Sequence, residues 1–153
     1  GIPGRVSLRL FEEWVYPIAS PALAASIGKG DASLLLKYPL IHDSDASGWR
    51  AWFAAMNIDY RPRAQDRRFE DYNLVLDAAA SGLGIALARP PLAGQQVASG
   101  RLAIVDDRTV LNPVSYWMDR PEGKMRPAAA DLAGRIAHAA GTDGAALKNF
   151  LGS

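Results

Sequence analysis

Residues 69 to 87 carry the pattern that decides the fold, FEDYNLVLDAAASGLGIAL. Asp71 is a typical helix N-cap residue, and apolar side chains recur behind it at helical spacing. These side chains are Tyr72, Val75, Leu76, Ala79 and Ala80. Gly82 ends the predicted helix, and Leu83 to Leu87 form an apolar run typical of a strand buried on both faces. The stretch therefore predicts a capped helix that leads into a central strand.

A second helical stripe lies upstream of this stretch. Its apolar residues, at positions i, i+3, i+4 and i+7, are Trp49, Trp52, Phe53 and Met56. A polar loop, residues 43 to 48, precedes them, and Pro39 to His42 form a short apolar strand before that loop. Helical spacing favours core packing of these rings over an exposed stacking platform.

The rest of the chain continues the alternation of strands and helices. Further strands are predicted at residues 6–11, 14–19, 63–69, 101–105 and 114–118, and further helical segments at 21–25, 33–37, 90–98, 127–140 and 145–151. Gly141 is predicted to end the fourth of these helices. Pro17 should confine its strand to an edge or crossing position, and Ser20 with Pro21 should open a helix. This alternation predicts a mostly parallel α/β sheet.

The composition excludes several classes of site. The chain has 153 residues, no cysteine, two histidines and a formal net charge of +1. Without cysteine there is no disulfide, iron–sulfur cluster, thiolate zinc site or cysteine nucleophile. The near-neutral charge gives no footprint for nucleic acid or an anionic membrane, and no apolar run approaches the roughly 18 residues that cross a bilayer. We expect a cytoplasmic protein without a secretory signal, metal or cofactor.

Two motifs have a structural interpretation that outweighs the functional one. Gly82-Leu83-Gly84 resembles a phosphate loop, but it follows a helix and precedes a strand, the reverse of the order that a dinucleotide site needs. A helix end with close packing is the better interpretation. Residues 61 to 68 hold four arginines, which a strand would split between two faces, so a solvated edge strand is favoured over a nucleic-acid patch.

The candidate site lies where predicted strands end. His42-Asp43-Ser44 follows one strand and Phe69-Glu70-Asp71 another, just before a helix. In open α/β sheets, ligands bind at the carboxyl ends of the strands, and free helix N–H groups bind carboxylates. A catalytic Ser-His-Asp arrangement does not fit, because Ser44 has no strained elbow and adjacent strand residues face opposite sides. Ligand contact and ordinary loop structure both remain open.

Eight short motifs follow one another along most of the chain. They are Pro17-Ile18-Ala19-Ser20-Pro21-Ala22-Leu23, Tyr38-Pro39-Leu40-Ile41-His42, Trp49 with Trp52, Phe69-Glu70-Asp71-Tyr72-Asn73-Leu74, Ala78-Ala79, Gly82-Leu83-Gly84-Ile85-Ala86-Leu87, Ala98-Ser99-Gly100-Arg101-Leu102 and Tyr116-Trp117. In order and spacing, residues 8 to 140 resemble the effector-binding domain of LysR-type transcriptional regulators. The Phe-x-Asp-Tyr and Tyr-Trp features are most similar to the branch of glycine-cleavage and β-lactamase regulators.

The resemblance implies an α/β fold like that of type II periplasmic binding proteins, in which two lobes are joined by two crossing strands. Residues 1–16 would form the end of the first lobe and a crossing strand. Residues 17–113 would form one complete, Rossmann-like second lobe. Residues 114–153 would form the returning strand and C-terminal helices of a partial first lobe.

The resemblance also implies that a small organic, anionic effector binds between the lobes and reorients them. The residues expected to contact it are His42, Asp43, Ser44, Phe69, Glu70, Tyr116 and Trp117. Hydrogen bonds and aromatic contacts would hold the effector, with no catalytic residue.

The family's winged helix-turn-helix and the opening half of its first lobe have no counterpart in this sequence. We therefore expect DNA binding only through a helix-turn-helix domain absent from this chain, together with homodimerisation and no membrane partner. Two alternatives remain. A free-standing solute-binding protein should have an export signal and two complete lobes, and a small α/β enzyme using His42 and Asp43 should have a nucleophile or metal constellation.

Overall fold

A computed structural model of the chain describes residues 4–11, 13–90, 92–112, 116–139 and 144–152. The chain forms two compact units, unit 1 from residues 1–12 and 115–153 and unit 2 from residues 13–114. Residues 13 to 16, which the prediction groups with the end of the first lobe and its crossing strand, cluster with unit 2, because Val15 and Tyr16 pair with strands of that unit.

The elements follow the chain in an alternating order. They are β1 (Arg5–Phe11), β2 (Trp14–Ala19), α1 (Pro21–Ser26), a 3-10 helix (Ala32–Lys37), β3 (Ile41–Asp43), α2 (Ser47–Ala55), β4 (Arg67–Phe69), α3 (Tyr72–Ala80), β5 (Ala86–Ala88), α4 (Leu92–Ala98), β6 (Ala103–Ile104), β7 (Val110–Leu111), β8 (Tyr116–Pro121), α5 (Pro127–Ala139) and α6 (Gly144–Leu151). The predicted stop at Gly141 lies outside the described residues. Within the described part of the chain, no helix is long and apolar enough to span a membrane.

Unit 1 is a two-stranded antiparallel sheet of β1 and β8 with α5 and α6. Its small core consists of Leu8, Ala133, Ala137 and Phe150. The Arg120 guanidinium donates from Nε to the carbonyl oxygen of Phe150 at 2.6 Å. Leu132 and Ile136, each one residue before a buried alanine on α5, are exposed.

Capping residues mark the start of α1 and both ends of α3 where the sequence predicts them. Ser20 Oγ accepts from the backbone N–H of Leu23 at 3.3 Å, and an Asp71 carboxylate oxygen accepts from that of Asn73 at 2.8 Å. Gly82, with φ +83°, adopts the left-handed conformation that ends α3. These three predictions are confirmed.

Strand β2 is central, so of the two positions predicted for Pro17, edge or crossing, the edge position is wrong. β2 pairs antiparallel with β5 on one side and with β6 and β7 on the other. The carbonyl oxygen of Pro17 accepts from Val105 N at 2.9 Å, so its nitrogen faces the same side. There β6 pairs with residues 18 and 19 and β7 with residues 14 and 15. The missing proline N–H therefore falls in the gap between the two partners.

The remaining sheet is partly parallel and its strands are short. β3 pairs parallel with β4, and Leu40 forms a parallel bridge to Ile85. The predicted strand 63–69 shrinks to β4, because Asp66 N donates to the Arg63 carbonyl oxygen at 3.0 Å and turns the chain. The mostly parallel sheet is also a wrong prediction, since the central strand β2 is antiparallel to every partner.

The core of unit 2 is aromatic on one face of the sheet. Trp49, Trp52 and Phe53 of α2 are fully buried, as their spacing predicts. Gly84 lies so close to the segment just before β3 that a Cβ atom there would meet the carbonyl oxygen of Pro39 at 2.4 Å. Close packing at this glycine is confirmed.

Candidate functional site

Polar side chains gather at one edge of the unit 2 sheet because of its topology. Asp43 ends β3 and Arg89 follows β5, so both lie at carboxyl ends that point the same way. Glu13 precedes β2 and Asn112 follows β7. Because β2 is antiparallel to β5 and β7, its beginning lies beside their ends.

A charged network joins these four residues. The Arg89 guanidinium donates from Nε to Glu13 Oε2 at 3.0 Å and from Nη2 to Glu13 Oε1 at 3.3 Å. Its Nη1 donates to Asp43 Oδ2. Asn112 Nδ2 donates to Glu13 Oε2 at 3.0 Å, and the Asn112 backbone N–H donates to the Glu13 carbonyl oxygen at 2.7 Å. Glu13 is buried. The guanidinium of Arg89 is thus shared by the carboxylates of Glu13 and Asp43.

Tyr72 holds Arg89 from the side of α3. Its hydroxyl donates to the Leu87 carbonyl oxygen at 2.8 Å and accepts from the Arg89 backbone N–H at 2.7 Å. The Arg89 guanidinium carbon lies 5.4 Å from the centre of the Tyr72 ring, within range of a cation–π contact. Burial opposes the charge of Arg89, but the carboxylates of Glu13 and then Asp43 raise the pKa of the guanidinium.

A cavity of about 100 Å³ lies beside this network, wholly within unit 2. The residues that line it are Val15, Ile41, His42, Asp43, Ser44, Asp45, Ser47, Gly48, Trp49, Val75, Leu87, Arg89 and Asn112. Trp49 Nε1 donates to the Ile41 carbonyl oxygen at 2.9 Å, which fixes the beginning of α2 against the end of β3. The cavity is thus bounded by two strand ends and a helix N-terminus, and both apolar and polar side chains line it.

The loop between β3 and α2 has a constrained backbone. Ser44 has φ +63°, a left-handed conformation that costs a non-glycine residue about 1–2 kcal/mol, so the expected absence of backbone strain at this serine is wrong. Its N–H donates to the Phe69 carbonyl oxygen at 3.2 Å. An Asp45 carboxylate oxygen accepts from Ser47 N at 2.8 Å, and hydrogen bonds from Ser47 lower the pKa of Asp45. Such strain, held by surrounding bonds, is frequent at ligand sites.

His42 connects the cavity to a buried hydrogen-bond chain. Its Nε2 lies 2.7 Å from the Tyr60 hydroxyl oxygen, and Tyr60 donates to Asp66 Oδ2 at 2.6 Å. Asp66 also accepts from Leu40 N at 2.9 Å and from Arg63 Nη2 at 2.9 Å. These hydrogen bonds therefore connect the end of β3 to the turn before β4.

The protonation states within this hydrogen-bond chain follow from the surroundings of its residues. Burial raises the pKa of the Asp66 carboxyl, but hydrogen bonds from Arg63, Tyr60 and backbone N–H groups outweigh it and lower that pKa to about 2. Burial lowers the pKa of His42, with the Asp66 carboxylate acting in the opposite direction. At neutral pH, Asp66 is ionised and His42 is neutral.

The structure brings together some of the predicted effector residues. His42, Asp43 and Ser44 line one cavity. Phe69 and Glu70 are not among its lining residues. Phe69 packs against the core beneath α3, and exposed Glu70 lies 3.8 Å from Arg68. Tyr116 and Trp117 belong to β8 of unit 1, and their side chains lie outside what the structure describes.

Three residues of the network escaped the sequence analysis, namely Glu13, Arg89 and Asn112. Arg89 had a usable signal, since it directly follows a buried strand, the same position that marked His42 and Asp43. Glu13 and Asn112 had none, because they are 99 residues apart and only the antiparallel pairing of β2 with β7 joins them.

Comparison with known proteins places these features in a family. The model of the LysR substrate binding domain matches residues 2–141. The HTH-type transcriptional regulator TrpI of Pseudomonas aeruginosa is 36% identical over 107 residues, 66% of this chain and 36% of TrpI. The glycine cleavage system transcriptional activator of Escherichia coli K12 is 30% identical over 121 residues, 76% of this chain and 38% of the activator. The matches thus span little more than a third of these relatives.

Solved structures agree with the sequence relatives. The effector domain of the transcriptional regulator AmpR of Pseudomonas aeruginosa superposes with a TM-score of 0.75 and 26% identity, covering 92% of this chain and 68% of that domain. The predicted α/β, periplasmic-binding-protein-like fold is confirmed. Since the family model covers nearly the whole chain, this protein belongs to the LysR substrate-binding domain family, the effector-binding domains of LysR-type transcriptional regulators.

Proposed function

We propose that this chain senses a small organic effector at the unit 2 cavity and belongs to a regulator of bacterial transcription. The observation that carries the proposal is the cavity at the converging ends of β3 and β5, lined by His42, Asp43, Ser44 and Arg89. Ligands of open α/β sheets bind at this edge. A strained loop and a shared cation there are typical of ligand sites.

The lining favours an effector with both apolar and polar parts. Val15, Ile41, Val75 and Leu87 supply apolar surface. The charged lining residues are the carboxylates of Asp43 and Asp45 and the guanidinium of Arg89, which already binds Glu13 and Asp43. An anionic group on the effector, implied by the family resemblance, stays a prediction, and it would have to lie away from these two carboxylates.

Several further expectations belong to the same proposal. The relatives are transcriptional regulators, which supports a sensing role without catalysis, a cytoplasmic location and action on DNA through a separate domain. Contacts of Phe69, Glu70, Tyr116 and Trp117 with the effector also remain predictions.

The site is tested by screening amino acids, small organic acids and amines by ¹⁵N NMR. An effector should shift the amide signals of Ser44 and Gly48, and Asp43→Asn should weaken its binding at least tenfold. Asp77→Asn is the matched control, because Asp77 forms an exposed ion pair with Arg101 at 2.9 Å and does not line the cavity. Equal affinity of the two variants would contradict the assignment of this site.

The predicted homodimer is supported by an exposed apolar pair on α5. Leu132 and Ile136 lie one turn apart and are 57% and 41% exposed, and such faces recruit partner surfaces. Light scattering with size exclusion should give a dimer that Leu132→Glu with Ile136→Glu converts to monomer. Leu74→Glu, at a residue on α3 that is 50% exposed, should leave the mass unchanged. A parent protein that is monomeric at high micromolar concentration would contradict this prediction.

A further inference from the structure

The hydrogen-bond chain behind the cavity fixes which nitrogen of His42 carries its proton. The Asp66 carboxylate can only accept, and Tyr60 spends its single hydroxyl hydrogen on Asp66 Oδ2 at 2.6 Å. The Tyr60 oxygen must therefore accept the bond that joins it to His42 Nε2 at 2.7 Å. Nε2 thus carries the hydrogen, and in a neutral ring Nδ1 is a bare acceptor.

This acceptor is buried without a donor. Among the described residues, no group hydrogen-bonds His42 Nδ1, although His42 as a whole is only 5% exposed. Buried acceptors are normally satisfied, and an exception calls for a ligand or an ordered water. His42 lines the cavity, so a molecule in the cavity is the natural source of the missing donor.

The charges around the ring favour the same kind of group. Asp43 and Asp45 line the cavity with His42. The charged groups that act on the imidazole are Asp66, Arg50, Asp45 and Arg63. Arg63 is engaged by Asp66, and Arg50 does not line the cavity. Arg89 does line it, but it is paired with Glu13 and Asp43. A donor that is also cationic would therefore meet the carboxylate of Asp45, which has no ion-pair partner among the described residues, and share Asp43 with Arg89. A carboxylate at this point would instead face a lone pair and two carboxylates.

We infer that the effector donates a hydrogen bond to His42 Nδ1 from an ammonium, amine or hydroxyl group. This inference rests on the proposed function, because it takes the unit 2 cavity as the effector site. It names the chemical group that the site selects at His42. Tyr60 and Asp66 act as positioning residues, since they set the tautomer of the ring without lining the cavity.

The tautomer is measurable because the chain has only two histidines. Long-range ¹H–¹⁵N NMR of the labelled protein gives one ring pattern for each histidine. The pattern that disappears in His138→Gln belongs to His138, which is exposed on α5, and the other belongs to His42. We expect His42 to show a protonated Nε2 and a bare Nδ1 at neutral pH. A protonated Nδ1 in the free protein would overturn the inference.

Three probes with three carbon atoms each test the selected group, namely propylammonium, propan-1-ol and propionate. We expect propylammonium to shift the Nδ1 signal and to bind at least tenfold more tightly than propionate, with propan-1-ol between them. Tyr60→Phe keeps the ring that stacks on Phe53 at 5.2 Å. It should reduce the preference for the amine, and His42 should no longer be restricted to one tautomer. Asp45→Asn should weaken the binding of propylammonium and leave the affinity for propan-1-ol unchanged.

The outcomes separate this inference from the proposed function. If propionate binds as tightly as propylammonium, shifts the amides of Ser44 and Gly48 and protonates Nδ1, the site stands and the inference is overturned. If no probe shifts those amides up to high millimolar concentration, the cavity is not the effector site and both fail. Selective binding of the amine at Nδ1 supports both.

Discussion

Truncating Trp52 tests whether α2 is the structural centre of unit 2. The Trp52 side chain is fully buried, with its ring edge-on to Trp49 at 5.9 Å and to Phe53 at 5.2 Å. Its Nε1 donates to the Arg108 carbonyl oxygen at 2.9 Å. Burial of a large aromatic ring predicts a loss of about 3–5 kcal/mol for Trp52→Ala. Two edge-to-face pairs, each contributing about 0.5–1.5 kcal/mol, place the expected loss at the upper end, about 5 kcal/mol.

Urea unfolding followed by far-UV circular dichroism measures this loss. Because about 5 kcal/mol approaches the whole stability of a small domain, Trp52→Phe is the second variant. It removes the indole hydrogen bond and part of the volume, and should cost about 2 kcal/mol. Trp14→Ala is the matched control, since Trp14 is 50% exposed, and it should change stability by less than about 1 kcal/mol.

Amide exchange confines the measurement to unit 2. The N–H of Ile41 donates to the Ile85 carbonyl oxygen at 2.8 Å, between two central strands. Its exchange should require opening of that core and should accelerate in Trp52→Ala in proportion to the lost stability. A denaturation midpoint and an exchange rate equal to those of the parent would refute the packing argument.

Three further perturbations follow from named contacts. Gly84→Ala should destabilise by about 2–3 kcal/mol, because its Cβ would lie 2.4 Å from a backbone carbonyl oxygen; Gly94→Ala, with open space around a helical position, should stabilise by about 0.5–1 kcal/mol. Arg89→Met should cost about 3 kcal/mol in urea unfolding by leaving buried Glu13 uncompensated, and adding Glu13→Gln should recover part of that loss in a double-mutant cycle. The pKa of Asp66 lies at about 2 instead of 3.8, so its ionised form contributes about 2 kcal/mol at neutral pH. That contribution should disappear as the pH falls from about 4 to 2, and Asp66→Asn should flatten the pH dependence of unfolding there; an unchanged profile would contradict it.

Local signals made part of the fold predictable. The stripe of Trp49, Trp52 and Phe53 and the caps at Ser20 and Asp71 act within one or two helical turns, so their consequences are visible in the sequence. Strand direction is different. Whether β2 runs with or against β5 depends on where the chain re-enters the sheet, and no local pattern records it. The two-residue strand β7 is too short to show any alternation.

The same distinction divides the site. His42 and Asp43 were predicted because a strand end is a local feature, and the equivalent position after β5 would have pointed to Arg89. Phe69 also ends a strand, yet its side chain belongs to the core beneath α3. A residue at a strand end can face either side of the sheet, and only the structure decides which one.

Glu13, Arg89 and Asp43 are better explained by the place that they occupy in unit 2 than by a contribution to its stability. A buried ion pair is weak evidence for stability, because desolvation offsets most of the attraction, and an apolar cluster would serve the core as well. Glu13 opens unit 2, while Asn112, its partner through two hydrogen bonds, lies two residues before the end of the unit. Arg89 joins that closing contact to Asp43 in the cavity lining. The contact between Glu13 and Asn112, which joins the two ends of unit 2, is therefore hydrogen-bonded to residues that line the cavity. A molecule that competes for Asp43 or Arg89 acts on the cavity lining and on that contact.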